Sequence, residues 1–335
     1  MPAEPLLQIR DLSVAFRTER GLVQAVEGVS LEVEAGRVLG LVGESGSGKT
    51  QTLLSILGLI LDPNAVLSGS VRLDGEELVG MPNRRLRRIR GAKAAMIFQD
   101  PMTALTPVHT VGWQIVEQIR AHSSLSNRAA RDKAVALLAE CGIPDPARVV
   151  ERYPHELSGG MRQRVVIAMA VSCEPKLIVA DEPTTALDVT VQAQILALLD
   201  RLRRDHGTGI VFVTHDLGVV SEIADTVAVM YAGRIVESGP VQALFAAPRH
   251  PYTHGLFNSI PPLRGPRPAR LTGIPGLPPS RGAPETGCAF APRCAYAFAP
   301  CAARPPLAPE GAQRVACFLP GETKQGFRRA GDLAA

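Results

Sequence analysis

Residues 43–50 read Gly43-Glu44-Ser45-Gly46-Ser47-Gly48-Lys49-Thr50, a match to the pattern GxxxxGK followed by Ser or Thr. An apolar run precedes this segment and an apolar, helix-like run follows it, which is the context that the pattern requires. Glycines let backbone N–H groups wrap around phosphates, and the following helix N-terminus adds positive potential. Lys49 is therefore expected to reach the β- and γ-phosphates of a nucleotide, and the Thr50 hydroxyl to bind Mg²⁺. A chance match is expected in roughly one per cent of chains of this length, which disfavours a plain glycine-rich turn.

From Leu6 to about Phe245 the chain alternates short β-branched or apolar runs with longer helical patterns. This alternation is typical of an α/β fold with a largely parallel sheet. The strands predicted for that sheet are Val38 to Val42, Ala95 to Phe98, Leu177 to Ala180, Gly209 to Thr214 and Thr226 to Tyr231. The first four run into polar or glycine-rich loops, where ligands of open α/β sheets normally bind.

Two further patterns flank this sheet. Leu6 to Phe16 and Val23 to Val33 are predicted to be antiparallel strands, because apolar residues alternate toward one face of the first. They would form a small sheet beside the nucleotide-binding core. Val189 to Arg204 has apolar residues at helical spacing and is predicted to be a one-faced helix that stops near Gly207.

Two carboxylates, Asp181 and Glu182, directly follow the predicted strand at 177–180. A buried strand rarely ends this way unless a cation or a proton is to be managed. Asp181 is expected to hold Mg²⁺ through water, and Glu182 to act as the general base on the water that attacks the γ-phosphate. Alone, such a pair is more often a helix N-terminal charge pair, but a neighbouring phosphate loop favours the catalytic interpretation.

The segment Leu157-Ser158-Gly159-Gly160-Met161-Arg162-Gln163-Arg164 precedes a helical apolar run and resembles the signature motif of ABC ATPases. A Ser-Gly-Gly turn that leads into a helix offers a hydroxyl and backbone donors to a phosphate, and Ser158 is also an ordinary N-cap residue. The remaining ABC motifs follow in the family's order: Gln99 after a strand, Thr185-Ala186-Leu187-Asp188 after the carboxylates, and Thr214-His215-Asp216 at the end of another strand. By these motifs the chain is identified as a member of the ABC ATPases.

This resemblance implies roles for further residues. Gln99 would sense Mg²⁺ and the lytic water while it links the subunit to a membrane partner, and His215 would contact the γ-phosphate. Asp188 and the signature residues count among the nucleotide-binding residues by the same resemblance. Phe16 lies where ABC proteins place an aromatic ring under the adenine, and stacking there is physically reasonable. A core phenylalanine is the alternative interpretation of Phe16.

Composition changes near Pro248, since 16 of the 28 prolines and four of the six cysteines lie between there and the end. Proline fixes φ and removes backbone donors, so the residues from about 248 onward are expected to have little regular structure and to need a cross-link such as a bound metal. We predict a nucleotide-binding domain over residues 1–247, with a helical signature subdomain at about 100–165 within a P-loop NTPase core. Residues 248–335 are predicted to be a C-terminal extension.

The exact residues of these motifs indicate one subgroup of the ABC ATPases. The segments GESGSGKT, MIFQDPMTALTPV, LSGGMRQRVVIAMA and ADEPTTALDVTVQAQIL are similar to those of the oligopeptide and dipeptide importer ATPases. Met161 and the segment His250-Pro251-Tyr252-Thr253 before a proline-rich tail belong to the same resemblance. Ala104 and Thr106 replace a commoner serine and asparagine, which affects no predicted chemistry. The resemblance implies an ATPase that powers the import of peptides, with importers of nickel or glutathione as the alternatives.

Four cysteines of the extension are separated by five, six and fifteen residues: Cys288, Cys294, Cys301 and Cys317. A disulfide framework is disfavoured in a cytoplasmic protein, and zinc sites more often show closely spaced pairs. Four thiolates at wider spacing fit an iron–sulfur cluster better. Some members of the resembled family carry a 4Fe-4S cluster at similar cysteines, which favours that cluster over zinc, with free thiols as the remaining alternative. Cys141 and Cys173 lie in apolar helical patterns and are predicted to be core residues.

The resemblance also implies partners. In ABC ATPases two nucleotide domains face head to tail, so the Lys49 site of one is completed by the signature motif of the other. This chain has one copy of each, so a partner ATPase is expected, and in this subgroup the two are typically related but different. Two transmembrane permease subunits docked near Gln99 and an extracytoplasmic substrate-binding protein would complete the transporter.

Charge and hydropathy restrict where the protein acts. The net charge of +4 and the pI of about 8.8 are too diffuse over this length to indicate nucleic acid. An arginine-rich cluster at 84–93 could touch acidic lipid heads or phosphates, but such runs are usually solvated surface. The N-terminal residues have no secretory-signal pattern, and the apolar runs fall short of the roughly 18 to 20 residues that span a bilayer. We therefore expect a peripheral protein at the cytoplasmic face of the membrane.

Two competing functions are disfavoured. A soluble ABC protein of DNA repair or translation usually carries two cassettes or a long coiled coil, and neither is visible. An exporter ATPase is disfavoured by the lack of fused membrane spans and by the resemblance of the tail.

Overall fold

The computed structural model describes residues 4–19, 21–185, 187–259, 273–279, 286–324 and 326–327. The strands in these ranges are β1 Leu7–Thr18, β2 Gly21–Val33, β3 Val38–Val42, β4 Ala65–Leu73, β5 Glu76–Glu77, β6 Ala94–Ile97, β7 Leu177–Asp181, β8 Gly209–Val213, β9 Thr226–Tyr231, β10 Arg234–Pro240, β11 Ala308–Glu310 and β12 Gln313–Val315. The helices are α1 Lys49–Ile56, α2 Asn83–Ile89, α3 Pro101–Ala104, α4 Val111–His122, α5 Asn127–Glu140, α6 Pro146–Val149, α7 Gly159–Val171, α8 Val189–His206, α9 Leu217–Ile223, α10 Val241–Ala246, α11 Pro251–Asn258 and α12 Gly321–Lys324, and short 3-10 turns lie at Pro154–Glu156, Ala291–Arg293 and Ala299–Ala302.

The larger sheet has the strand order β11-β12-β10-β9-β3-β8-β7-β6. Strands β9, β3, β8, β7 and β6 run parallel, whereas β10, β12 and β11 add to one side in antiparallel pairs. The predicted α/β fold is confirmed, and the strand predicted at Ala95 to Phe98 is shifted by one residue, to Ala94–Ile97. Because parallel strands end at the same edge of a sheet, the loops after β3, β6, β7 and β8 meet there.

Both faces of this sheet are buried, which explains the continuous apolar runs of its strands. Leu177 and Val179 point into a core shared with α1 and the smaller sheet, while Ile178 and Ala180 point into a core shared with the helices. All four side chains are at most 1% exposed. The strand pattern of the sequence therefore reflects a layer of structure on each side.

The smaller sheet is antiparallel, in the order β2-β1-β4-β5. It confirms the two antiparallel strands predicted for the first 33 residues. Its inner face packs over α1 through Leu53 and Ile56, which are at most 1% exposed. This packing places the smaller sheet beside the loop at 43–48.

Helices α3 to α7 form a helical layer between β6 and β7 in the chain. Helices α4, α5 and α7 contact one another through fully buried Ile115, Ala134, Leu138 and Ile167. Helix α8 then returns along the sheet and ends at Gly207, whose φ of 66° is the left-handed conformation that favours glycine. The predicted helix and its stop at this glycine are confirmed.

The C-terminal residues join the larger sheet, because β12 pairs with β10, with Glu237 opposite Val315. Glu237 is fully buried, and its carboxylate accepts hydrogen bonds from the backbone N–H groups of Arg249 (2.7 Å) and His250 (2.9 Å). Tyr252 and Phe290 lie in the same core as the helices. Within the described ranges, no helix combines the length and the apolar character that crossing a bilayer demands.

Candidate nucleotide-binding site

The loop between β3 and α1 takes a shape that only glycine permits at two positions. Gly43 and Gly48 have φ values of 152° and 106°. A Cβ at Gly43 would lie 2.2 Å from the Met230 carbonyl oxygen, and one at Gly48 would lie 2.6 Å from the Ala25 carbonyl oxygen. Both approaches are closer than real Cβ atoms make. The two glycines therefore let the loop pack tightly against its neighbours.

Lys49 opens helix α1 and lies folded back over this loop. Its ammonium donates hydrogen bonds to the carbonyl oxygens of Gly43 (2.7 Å) and Glu44 (3.0 Å). Burial lowers the pKa of Lys49, while the nearby carboxylates of Glu182 and Asp181 act in the opposite direction. A buried cation at the N-terminus of a helix, directly after a glycine-rich loop, suits the binding of a polyphosphate.

Asp181 ends strand β7 and meets the start of α1. Its side chain is 7% exposed and hydrogen-bonds to Thr50. Burial raises the pKa of Asp181, and the Thr50 hydrogen bond and the charge of Lys49 lower it. A hydroxyl and a carboxylate in contact form the oxygen ligand set that Mg²⁺ prefers in nucleotide sites. Two of the three residues predicted as magnesium ligands, Thr50 and Asp181, are thus brought together, while Gln99 hydrogen-bonds to Glu182.

Glu182 is the centre of a group that the chain assembles from distant segments. Its Oε2 accepts hydrogen bonds from Gln99 Nε2 (3.0 Å) and Thr185 Oγ1 (2.9 Å), and its Oε1 lies 3.3 Å from His215 Nδ1. The backbone of Glu182 has a φ of 47°, a region that costs energy for any residue with a Cβ and that often occurs at functional sites. All three residues predicted to be catalytic therefore lie around one carboxylate.

The signature segment is on the surface instead. Ser158 caps helix α7 by accepting a hydrogen bond from the Met161 N–H (3.4 Å), and both Ser158 and Gly159 are exposed, with Gly160 half-buried. Within the described part of the chain, no hydrogen bond joins residues 158–160 to residues 43–50. Asp188 is likewise exposed and caps helix α8 through the Val191 N–H (2.9 Å).

The remaining predicted positions to be located are Phe16 and Ala186. Phe16 lies on β1 opposite Val23 and Ala65, and its half-buried ring packs against the core of the smaller sheet. The ring is neither sealed in the core nor free, so both interpretations given above stay open. Ala186, within the segment after the carboxylates, lies outside the described residues.

The four cysteines of the extension line one small cavity, together with apolar side chains that include Phe290, Tyr296, Phe298 and Leu319: Cys288, Cys294, Cys301 and Cys317. None of these four described cysteines forms a disulfide, and a backbone hydrogen bond joins Cys288 N–H to the Cys301 carbonyl oxygen (2.9 Å). Burial raises the pKa of Cys294 and Cys317, and the neighbouring cysteines raise it further. Among the described residues, no three His, Cys, Asp or Glu side chains are arranged to hold a single metal ion.

One contact at the phosphate loop was not predicted from the sequence. Arg293, which directly precedes Cys294, forms an ion pair with Glu44, and the Tyr252 hydroxyl accepts a hydrogen bond from the Glu44 N–H. The extension therefore touches the nucleotide-binding loop. The sequence shows an arginine within an otherwise apolar Cys-rich segment, but it does not indicate which carboxylate pairs with that arginine.

Family comparisons cover most of the chain. Residues 26–185 match the model of the family described as ABC transporter, and residues 236–301 match the C-terminal region of oligopeptide/dipeptide transporters. A probable peptide ABC transporter ATP-binding protein of Sinorhizobium fredii is 50% identical over 309 residues, 92% of each chain. The oligopeptide transport ATP-binding protein OppD of Bacillus subtilis is 51% identical over 294 residues, which are 88% of this chain and 82% of that protein.

Solved structures agree with this result. The dimeric bacterial ABC transporter cassette MJ0796 is similar with a TM-score of 0.63 and 26% identity, over 70% of this chain and 98% of that one. The protein cbiO1 of Clostridium perfringens, part of the transporter complex cbiONQ, has a TM-score of 0.62 and 27% identity, over 73% of this chain and 92% of that one.

Proposed function

This chain belongs to the ABC transporter family of ATP-binding subunits, and from that premise we propose that it hydrolyses ATP to power the import of peptides through a membrane transporter. The match of residues 236–301 to the C-terminal region of oligopeptide/dipeptide transporters favours peptides over nickel or glutathione. The observation that carries the hydrolytic activity is the group around Glu182, because it places a carboxylate beside the magnesium ligands. We assign residues 1–247 to the nucleotide-binding domain and 248–335 to a C-terminal extension.

The chain's own residues divide the reaction among them. The backbone of residues 43–48 and the Lys49 ammonium bind the phosphates, and Thr50, Asp181 and Gln99 would hold Mg²⁺, which would neutralise charge on the phosphate oxygens. Glu182 accepts the proton of the attacking water, since its carboxylate is fixed by hydrogen bonds from Gln99 and Thr185. His215, 3.3 Å from the same carboxylate, contacts the γ-phosphate. Phe16 stacks on the adenine.

A second ATPase subunit completes the site. Support comes from the exposure of Ser158 and Gly159 and from their lack of hydrogen bonds to the phosphate loop among the described residues. The similar cassette MJ0796 is dimeric. We propose a head-to-tail pair with a related but different ATPase. In this pair each signature segment faces the partner's nucleotide, and Asp188 contributes to the same shared site.

Further partners follow from the same proposal. Two transmembrane permease subunits would dock near Gln99, and a substrate-binding protein would deliver the peptide from outside. The subunit would then lie at the cytoplasmic face of the membrane and attach to it through the permeases. No nucleic acid is required for this activity.

For the cysteine-lined cavity we propose a 4Fe-4S cluster. The residues fit this group, because four cysteines of one segment line a common cavity and a 4Fe-4S cluster takes four Cys thiolates. In such a cluster each cysteine binds its own iron, so the thiols need not converge on one ion as they do around zinc. Bound there, the cluster would fasten a proline-rich segment that has little regular structure.

Uptake by the assembled transporter tests the function. Proteoliposomes that contain the subunit, its partner ATPase and the permeases would receive the binding protein with a labelled tripeptide, with nickel or with glutathione. ATP-dependent uptake of the tripeptide, absent with Glu182→Gln, is the expected result. Uptake of nickel or glutathione alone would overturn the peptide assignment, and no ATP-dependent uptake of any of the three would overturn the transport function.

A further inference from the structure

The extension holds the start of the phosphate loop through a buried arginine. Arg293 donates from Nη1 to Glu44 Oε2 (2.6 Å) and from Nη2 to Glu44 Oε1 (3.0 Å), a two-pronged pair across 249 residues of chain. The Arg293 side chain is only 5% exposed, and that of Glu44 is 27% exposed. Such paired geometry with little solvent is the strong form of an arginine–carboxylate contact.

Other contacts fix Arg293 in this position. Its Nε donates to the Pro275 carbonyl oxygen (2.9 Å), and its guanidinium lies 5.9 Å from the centre of the Tyr231 ring. The 3-10 turn that carries Arg293 starts beside Phe290, whose ring packs edge-on against Tyr231 at 5.3 Å. These contacts hold the Arg293 guanidinium in place in addition to its ion pair with Glu44.

Glu44 is held at its backbone as well as at its side chain. The fully buried Tyr252 accepts a hydrogen bond from the Glu44 N–H (2.8 Å), while the Glu44 carbonyl oxygen accepts one from Lys49 Nζ (3.0 Å). Glu44 thus lies between the extension on one side and the phosphate-binding lysine on the other. A movement of the extension at this point changes the loop directly.

Charge makes this contact relevant to ATP. Glu44 lies in the loop that leads to Lys49, and its carbonyl oxygen accepts a hydrogen bond from Lys49 Nζ (3.0 Å), so a negative charge on its side chain acts on phosphates that bind Lys49. With its partner removed, a partly buried carboxylate would repel the phosphates and attract the Lys49 ammonium. Arg293 cancels that charge and keeps the carboxylate in one place.

From these contacts we infer that Arg293 is a positioning residue for ATP binding, which acts through Glu44 and so makes the phosphate loop depend on the folded extension. This inference rests on the proposed function, since it concerns the same ATP site. It predicts a change in ATP affinity with little change in the turnover of bound ATP, because Arg293 touches neither Glu182 nor its hydrogen-bond partners in the described structure.

ATP titration of the full chain tests the inference, with EDTA present to prevent hydrolysis. Arg293→Gln removes the charge and should weaken ATP binding about tenfold, as expected for one unpaired charge near the phosphates. Glu44→Gln keeps the loop backbone but removes the repelling charge, so it should weaken ATP binding less than Arg293→Gln does. The double variant Arg293→Gln with Glu44→Gln should regain most of the lost affinity. Arg249→Ala is the matched control, because Arg249 pairs with Glu310 (2.9 Å) within the extension.

Comparison of the variants distinguishes an effect of the Glu44 charge on ATP from a role of the ion pair that is limited to anchoring the extension. If the ion pair only fastened the extension, Glu44→Gln alone would weaken binding as much as Arg293→Gln, and the double variant would not recover. That pattern, or an unchanged affinity of Arg293→Gln, would overturn the inference and leave the ATP site intact. If Arg293→Gln fails to fold, recovery of folding without recovery of affinity in the double variant would also overturn it. A wild-type chain that binds no ATP would instead reject the proposed function itself.

Discussion

Gln99 donates a hydrogen bond from its Nε2 to Glu182 Oε2 over 3.0 Å, although 83 residues separate the two in the chain. Gln99 follows the end of β6 and Glu182 follows β7, and these strands are neighbours in the sheet. The amide therefore orients the carboxylate through the register of two parallel strands. A change at the exposed Gln99, where we propose the membrane partner docks, would reach Glu182, the proposed base, through this one hydrogen bond.

The first prediction concerns this carboxylate. Glu182→Gln keeps the size of the side chain but removes the base, so ATP binding should persist while steady-state hydrolysis by the assembled transporter falls by at least about 100-fold. Glu151→Gln is a suitable control, because Glu151 is an exposed carboxylate that pairs with Arg131 and belongs to none of the motifs. Turnover of the Glu182→Gln transporter within about threefold of wild type would reject Glu182 as the base.

The second prediction concerns Lys49. Lys49→Ala removes the cation that faces the β- and γ-phosphates, and ATP affinity of the full chain should fall by about tenfold or more with loss of transport. Lys133→Ala removes a surface lysine whose pair with Glu174 (2.8 Å) is of a kind that contributes little, and it should bind ATP normally. Equal affinities of wild type and Lys49→Ala would show that the loop does not bind phosphates as assigned.

Much of this site could be predicted from the sequence because its chemistry is local. Residues 43–50 and 181–182 each carry their residue types in consecutive positions after an apolar strand, and parallel strands then bring such ends together. The predicted strand at 38–42 matches the structure residue for residue. Alternation of apolar residues also located the smaller sheet.

The contact of Arg293 with Glu44 could not be predicted in this way. It joins positions 249 residues apart, and neither residue belongs to a periodic pattern. A buried arginine becomes intelligible only when its carboxylate partner is known. The left-handed backbone of Glu182 was also unforeseen, since propensity favours glycine or asparagine there.

The third prediction concerns the signature segment. A Cβ atom at Gly159 would meet no atom within 4 Å, and a negative charge in the first turn of a helix is favourable. Gly159→Asp should therefore leave folding and ATP binding of the single chain unchanged, while the added charge faces the partner's γ-phosphate and abolishes ATPase activity of the assembled pair. Gly321→Asp, equally free of neighbours, is the control. Loss of ATP binding by the isolated Gly159→Asp chain would show that the segment serves its own loop.

The last prediction is that Cys288, Cys294, Cys301 and Cys317 bind one 4Fe-4S cluster. Anaerobically purified protein should be brown, with about four irons and four sulfides per chain. Cys294→Ser should lose the iron, while Cys141→Ser, a change at a buried cysteine outside the cavity, should keep it. Because Arg293 precedes Cys294, ATP affinity in Cys294→Ser should survive at a level between those of wild type and Arg293→Gln. Colourless protein with one zinc per chain would establish a Cys₄ zinc site instead, and metal-free protein with four titratable thiols in the extension would reject both metals.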